Sequence, residues 1–443
     1  MKIGIDSFRC FNHVSPVDIR PLTLLVGENS TGKSSFLAGV RFVNELFERG
    51  ANPSFNKDPY SLGSFKDIAH YRGRKAGRST HFSFSVSANI SLRGPRSSNG
   101  PRSRNIDVKL TFKEVESQPS ISSFAFTSGE YKAQILVGDT TEISFQTPGM
   151  NEPRIISEEI RAPFPRREFS NLNAVSFLLN DLPYMLYSQG VRRAPAASKI
   201  PQKVFEEFNN VLRATMTSFP PLIFAGAPVR TKPARTYDNI EEAPSPEGSH
   251  IPYLLARLKA FKTDDWKSLR EHLVEFGDAA GLFSDIDVKK FGPSPGSPFR
   301  IAVKVAGPAS NLVDVGYGVS QSLPVIVETL QASRGSMFLL QQPEVHLHPR
   351  AQAALGSYLG TIAKQRGLTI VVETHSDFLI DRVRMDVRDN KGLDPDSVCI
   401  LFFERTGLDV TVHQLEIDRK GNILGAPAAY RDFFLQEQMH SID

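Results

Sequence analysis

The chain has 443 residues, 40% hydrophobic and 23% charged, with a net charge of +4, enough for a large core and two or three subdomains but too weakly basic to indicate a nucleic-acid partner by itself. It has no apolar run of about 18 residues, and Met1-Lys2-Ile3-Gly4-Ile5-Asp6 reads as a strand rather than a leader, so neither a membrane span nor secretion is expected. Cys10 and Cys399 lie far apart without metal-ligand spacing, which fits structural thiols in a reducing, cytoplasmic compartment.

Residues 1–26 are expected to form a hairpin from Lys2–Cys10 and Leu22–Val26, turned through His13–Pro16. Leu22–Val26 then runs into Gly27-Glu28-Asn29-Ser30-Thr31-Gly32-Lys33-Ser34, a complete G-x-x-x-x-G-K-[ST] loop. Behind it Phe36, Val40, Val43 and Phe47 recur at helical spacing, with a stop near Gly50. Strand, loop and helix in this order make a phosphate cradle. The glycines turn backbone N–H groups inward, and the start of the helix adds its positive end. Lys33 can then reach β- and γ-phosphates, and the Ser34 hydroxyl can ligate Mg²⁺. A chance Gly-rich turn would not bring both flanking elements, so the chain is expected to bind a nucleoside triphosphate.

Between Asp67 and Asp107 there is no acidic residue, while Arg72, Arg74, Lys75, Arg78, Arg93, Arg96, Arg102 and Arg104 fall there. The stretch is either a solvated loop or a phosphate-contacting surface. His81–Val86, Val108–Phe112, Ser123–Phe126, Ala133–Val137 and Glu142–Phe145 alternate as the strands of an antiparallel sheet. Residues 148–168, rich in Pro and Arg, mark a boundary, followed by helices over Asn173–Leu179 and Lys203–Met216. The resulting division is 1–150, a helical insertion at 151–220, and 221–443. Nowhere does a heptad pattern announce coiled-coil arms.

The last part opens with the buried strand Leu222–Gly226 and the loop Pro228–Tyr237, whose arginines either sense phosphate or belong to a plain connection. A helix over Tyr253–Phe261 and strands Ile286–Lys290 and Phe299–Val305 follow. Asp314–Ser322 carries Gly316, Gly318 and Ser320 into a helix through Leu330, a second anion cradle. Met337–Leu340 is a buried strand ending in Gln341-Gln342-Pro343-Glu344, and a helix spans Arg350–Lys364. Leu368–Val372 is another strand, tipped by Glu373-Thr374-His375-Ser376. His346 and His348 do not share a helix face and have no third ligand nearby, which speaks against zinc.

The ordered set Gly27–Ser34, Asp314–Gln321, Phe338–Pro349 and Val371–Ser376 resembles the ABC-type ATPases of the RecF, SMC and overcoming-lysogenization-defect group, in particular compact prokaryotic "AAA family" ATPases of anti-phage defence or DNA maintenance. The likeness covers about 1–90 and 221–443. It implies an α/β head in which a parallel P-loop sheet flanked by helices joins an antiparallel β-subdomain, here with a small helical insertion. It also implies that two heads sandwich two ATP molecules, giving a homodimer or higher homo-oligomer. Gly27, Glu28, Asn29, Ser30, Thr31, Gly32, Lys33, Ser34 and Ser35 would hold the phosphates in cis, and Gly318, Ser320 and Gln321 would contact them in trans. His375 would be the switch histidine, and Ser64–His70 lies where a Q-loop is expected but contains no glutamine.

At the Walker B position relatives carry acids where this chain has Gln341 and Gln342. Whether native or introduced, an amide there is uncharged and a far poorer base, leaving Ser34 and Gln341 as metal ligands and Glu344 as the nearest carboxylate. Tight ATP binding with slow hydrolysis is the expectation: a sensor or switch that controls a partner effector, nuclease or toxin. The alternative is a DNA-binding scaffold of the RecF type. No membrane partner is expected.

Overall fold

The computed structural model describes residues 1–47, 54–92, 102–138, 141–146, 154–156, 210–211, 214–215, 219–220, 222–238, 243–294, 296–430 and 432. The helix expected over Asn173–Leu179, and nearly all of the one over Lys203–Met216, lie outside these residues. Two compact units share the chain. One is Met1–Ile19, Asn29–Ile223 and Phe403–Val412; the other is Arg20–Glu28, Phe224–Phe402 and His413–Asp443. Among the described residues no helix is long and apolar enough to cross a membrane.

The chain begins with β1 (Lys2–Phe8), β2 (Phe11–Asp18), β3 (Leu22–Gly27) and α1 (Lys33–Phe47). A short ladder, β4 (Asn56–Lys57) and β5 (Tyr60–Ser61), and one helical turn, α2 (Phe65–Ile68), come next. Long strands follow: β6 (His81–Leu92), β7 (Arg102–Val115), β8 (Gln118–Ser128), β9 (Tyr131–Val137), β10 (Thr141–Gln146) and β11 (Arg154–Ile156). Eight of these strands form an antiparallel sheet in the order β11-β10-β9-β8-β7-β6-β1-β2. Its register sets Phe82 opposite Phe112, Phe84 opposite Leu110 and Val86 opposite Val108, so the two-residue period puts all six side chains into one core.

The first hairpin differs from the sequence expectation. It turns at Arg9-Cys10, between β1 and β2, and His13–Pro16 lie within β2. Ser7 and Arg9 both take positive φ there, and β1 and β2 shift register between Ile3 and Ile5. Pro16 is tolerated because β2 is the sheet's edge, where a missing N–H leaves no ladder bond open. α1 is likewise more than amphipathic: every residue after Ser35 is buried. Its polar positions are satisfied in part, with Asn44 Oδ1 and Glu45 Oε2 left without a partner among the described residues. Arg41 donates to the carbonyls of Lys57 (2.6 Å) and Asp58 (2.9 Å) and pairs with Glu45 at 3.2 Å, while Asn44 bonds back to the Val40 carbonyl.

The other unit adds β12 (Ile223–Gly226), α3 (Ile251–Phe261), α4 (Thr263–Ala280), β13 (Asp285–Lys290), β14 (Phe299–Lys304), β15 (Ser310–Asn311), α5 (Tyr317–Gln331), β16 (Met337–Gln341), α6 (Pro349–Arg366), β17 (Thr369–Glu373) and α7 (Asp377–Arg388). The last strands are β18 (Val398–Thr406), β19 (Asp409–Ile417) and β20 (Ile423–Leu424). The second large sheet runs β12-β16-β17-β3-β18-β19-β20, and β13-β14-β15 form a small antiparallel one. β16, β17 and β3 are parallel and buried on both faces, as their unbroken apolar runs require. The fold is thus α/β, with a parallel sheet core flanked by helices and a separate antiparallel sheet, as expected.

Candidate functional site

Parallel pairing fixes which strand ends meet. Gln341 is the register partner of Glu373, and Glu373 of Leu25. The C-terminal tips of β16, β17 and β3 therefore lie side by side, the place where open α/β sheets hold ligands. Gly27 follows two residues beyond Leu25, and the Thr374 N–H bonds to the Leu25 carbonyl at 3.1 Å.

Of the predicted cradle residues, Gly27 and Glu28 belong to this unit; Glu28 is exposed. Asn29, Ser30, Thr31, Gly32, Lys33, Ser34 and Ser35 belong to the other. Positive φ at Gly27 (147°), Ser30 (62°) and Gly32 (90°) makes the loop's reversals, after which Phe36 N–H bonds to the Gly32 carbonyl and opens α1. Gly32 is required twice over, because an added Cβ would also collide with Cys10 Sγ. Lys33 is buried, Ser34 is exposed, and Ser35 is half-buried at the helix start. Two supports escaped the sequence reading. Arg405 donates to the Ser30 carbonyl, and Cys10 Sγ lies 3.8 Å from the Thr31 carbonyl. Burial pushes the Cys10 thiol's pKa up, with Arg405 opposing, which favours the neutral thiol.

At the tip of β16, Gln341 is buried and its Nε2 has no acceptor among the described residues. Gln342 takes φ 42° and returns its N–H to the Glu373 carbonyl at 2.8 Å. This turn delivers Glu344 into the unit's interior, where its Oε1 accepts from the Thr374 hydroxyl (2.8 Å) and the His375 N–H (2.9 Å). Glu344 Oε2 is buried with no hydrogen-bond partner among the described residues. Burial raises the Glu344 pKa against those two donors and the field of Arg230. Arg230, on the loop after β12, is itself buried, both Nη atoms lack acceptors among the described residues, and its pKa is lowered to about 10 by burial. Thr374 and Arg230 are the two members that sequence reasoning did not assign. Thr374 stood inside the tip Glu373–Ser376, but only the fold turns its hydroxyl onto Glu344.

Gly318, Ser320 and Gln321 occupy the first turns of α5. A Cβ on Gly318 would lie 3.1 Å from Leu347 Cδ2 and 3.2 Å from the His346 carbonyl, so this helix start packs on the loop that follows β16. Ser320 and Gln321 are buried, and the Ser320 hydroxyl donates to the Tyr317 carbonyl at 2.9 Å. His348 serves as the cap of α6, its Nδ1 accepting from Ala351 N–H; no cluster of three metal-ligating side chains occurs among the described residues. Ser376, next to His375, caps α7 and donates to Gln352 Oε1 at 2.6 Å. In the other unit, Ser64–His70 folds as a capped turn whose His70 bonds to the Arg9 carbonyl and to Asp409.

A loop of exposed backbone at a helix start, a lysine and a serine hydroxyl suit a triphosphate and a hard cation.

Residues 226–381 match the family model described as "AAA domain, putative AbiEii toxin, Type IV TA system". That segment holds Gly318, Ser320, Gln321, the Gln341–Glu344 turn and His375, and leaves out the Gly27–Ser34 loop. No curated protein matches the chain. SMC heads are among the similar solved structures. One, an Smc head bound to the C-winged helix domain of ScpA, shows 9% identity over 94% of this chain and 98% of that chain, with a TM-score of 0.45. A second, from Pyrococcus furiosus with an extended coiled coil and the C-terminal domain of ScpA, shows 10% identity over 100% and 98%, with a TM-score of 0.43. The SMC head of Thermotoga maritima shows 9% over 93% and 97%, with a TM-score of 0.38.

Proposed function

We propose that this chain is an ATP-binding switch of the ABC head type, in which bound ATP joins two copies and hydrolysis is slow. The observation that carries the reading is that β3, which runs into a complete phosphate-loop sequence, lies in one parallel sheet with β16, one strand away across β17, and that the tip of β16 bears amides in place of acids. Lys33 and the loop N–H groups would hold the phosphates, with Ser34 and Gln341 as ligands of Mg²⁺, which supplies charge neutralisation when bound. Gln341 and Gln342 cannot take a proton from water. Glu344 can, through Oε2, because Oε1 is committed to Thr374 and His375. Glu344 and, at the adjoining tip of β17, Glu373 are the carboxylates that remain where two acids are missing from the tip of β16, a sparse base set that favours retention of ATP over turnover.

Gly318, Ser320 and Gln321 would meet the phosphates of a second chain once the Ser320 hydroxyl leaves Tyr317. The output would be control of a partner effector, nuclease or toxin, in prokaryotic anti-phage defence or DNA maintenance; the toxin–antitoxin wording of the matched family model supports this direction. The test is molecular mass with and without ATP and Mg²⁺. Doubling on ATP, lost in Lys33→Ala, supports the reading; an ATP-independent mass overturns it.

The acid-free stretch favours a second reading, a DNA-binding scaffold, since Arg72, Arg74 and Lys75 are exposed beside β6. Contact with phosphates predicts affinity for duplex DNA that falls steeply with salt. Salt-independent binding, or none, removes this alternative.

A further inference from the structure

The second unit contains a cleft of about 510 Å³ between α4, α6 and α7, whose lining includes none of the predicted nucleotide residues. Its volume falls in the range of pockets that hold small organic ligands, roughly 300–1,000 Å³. Phe276, Ala354, Tyr358 and Ile362 supply apolar walls, with the Phe276 and Tyr358 rings edge to face at 5.6 Å. The Tyr358 hydroxyl is already engaged by Thr329 Oγ1 (2.8 Å) and the Ile326 carbonyl, so it asks nothing of a ligand.

Two cations border these walls. Arg350 is held in place by the carbonyls at the end of α4, donating from Nε to Ala279 (3.0 Å) and from Nη2 to Asp278 (2.8 Å). Arg382, on α7, has a buried Nε with no acceptor among the described residues. Of the acids near Arg382, Asp381 pairs with Arg384 at 2.7 Å, Asp389 just past α7 pairs with Arg388 at 2.8 Å while also feeling the charge of Arg382, and Asp386 accepts from Ser357 at 2.5 Å. Glu275 is the one acid on the cleft wall, which leaves two guanidinium charges against one carboxylate. A buried donor without an acceptor is uncommon in a folded protein and calls for a partner.

We propose that this cleft binds a small organic monoanion with a flat apolar body, its acidic group accepting from Arg382 and its body lying against Phe276, Tyr358 and Ile362. The site is separate from the nucleotide reading and does not depend on it.

The probe is the dye anilinonaphthalene sulfonate, titrated by fluorescence into the full chain, with uncharged phenylnaphthylamine in parallel. The expected result is one saturable dye site per chain, with the uncharged compound at least about tenfold weaker, as loss of a hydrogen bond to a charged group predicts. Arg382→Ala should weaken the dye by a similar factor, with an unchanged melting temperature as the control for folding. Ala354→Trp should fill the cleft and abolish binding, with an unchanged melting temperature as the control for folding. If Ala354→Trp does not fold, Arg382→Ala decides alone. Equal binding of both compounds, undiminished dye affinity in Arg382→Ala, or no saturable binding overturns the proposal.

Discussion

Glu344 concentrates the chemistry that the amide substitutions leave behind. Its native pKa is raised by burial above the ordinary 4.5, so the folded state holds the proton more tightly than the unfolded chain. Its contribution to stability is then full below the unfolded value and is lost as pH rises through the native one. Glu344→Gln removes that loss. The melting temperature of the parent should fall relative to Glu344→Gln as pH rises from about 4 to about 8. A constant difference would mean that Glu344 ionises in the fold as easily as in water. Thr374→Val removes two hydrogen bonds, the one donated to Glu344 and the one accepted from the Ser376 N–H, and should cost about 1–3 kcal/mol by urea denaturation. A neutral effect would show that the hydroxyl does not hold the carboxylate. The carboxylate was legible in the sequence, whereas its restraint was not. Thr374 and Glu344 are 30 residues apart and meet only because β16 and β17 are parallel neighbours in register.

At the scale of elements, local pattern sufficed wherever one element carried its own signal. The phosphate-loop strand, the strands β6 to β10 and the helix after Pro349 appear close to the positions that alternation and capping predicted. α4 was not read, because its start at Lys262 has no side-chain cap, although Asp264 and Asp265 suit a first turn and Trp266, Leu269, Leu273, Phe276 and Ala280 form a helical stripe. α7 was not read either, since it follows the strand tip at His375 with only Ser376 as its cap. The crossing of α6 and α7 is a packing fact that spacing does not reveal. A Cβ on Gly356 would lie 2.7 Å from the Leu379 carbonyl, a backbone atom, whereas one on Gly360 would meet only the mobile methyls of Leu393. Gly356→Ala should therefore destabilise by about 1–3 kcal/mol in urea, and Gly360→Ala by clearly less. Equal costs would mean that the helices separate freely at this crossing.

For the whole molecule, the sequence carried the fold class because four motifs recur in a fixed order and two sheets of different grain leave different patterns, unbroken apolar runs in one and alternation in the other. It did not carry the interleaving of the two compact units, because Phe403–Val412 returns to the first unit after 179 residues of the second, Phe224–Phe402, with no break in composition. Assembly is the property on which the switch reading depends. Ser320 is buried at a helix start, and Ser320→Arg should leave ATP binding by one chain intact while abolishing ATP-dependent doubling of mass in light scattering. Persistence of the doubled species would remove Ser320 from any contact between copies.

The most direct measurement is ATP turnover by the purified chain with Mg²⁺, with Lys33→Ala as the blank and Gln341→Glu alongside, while mass is followed in the same samples. The account predicts turnover close to the blank, assembly on ATP, and a faster rate in Gln341→Glu, where the charge missing from the tip of β16 is restored. Turnover by the parent well above the blank would contradict it, and would mean that the remaining carboxylates suffice for hydrolysis.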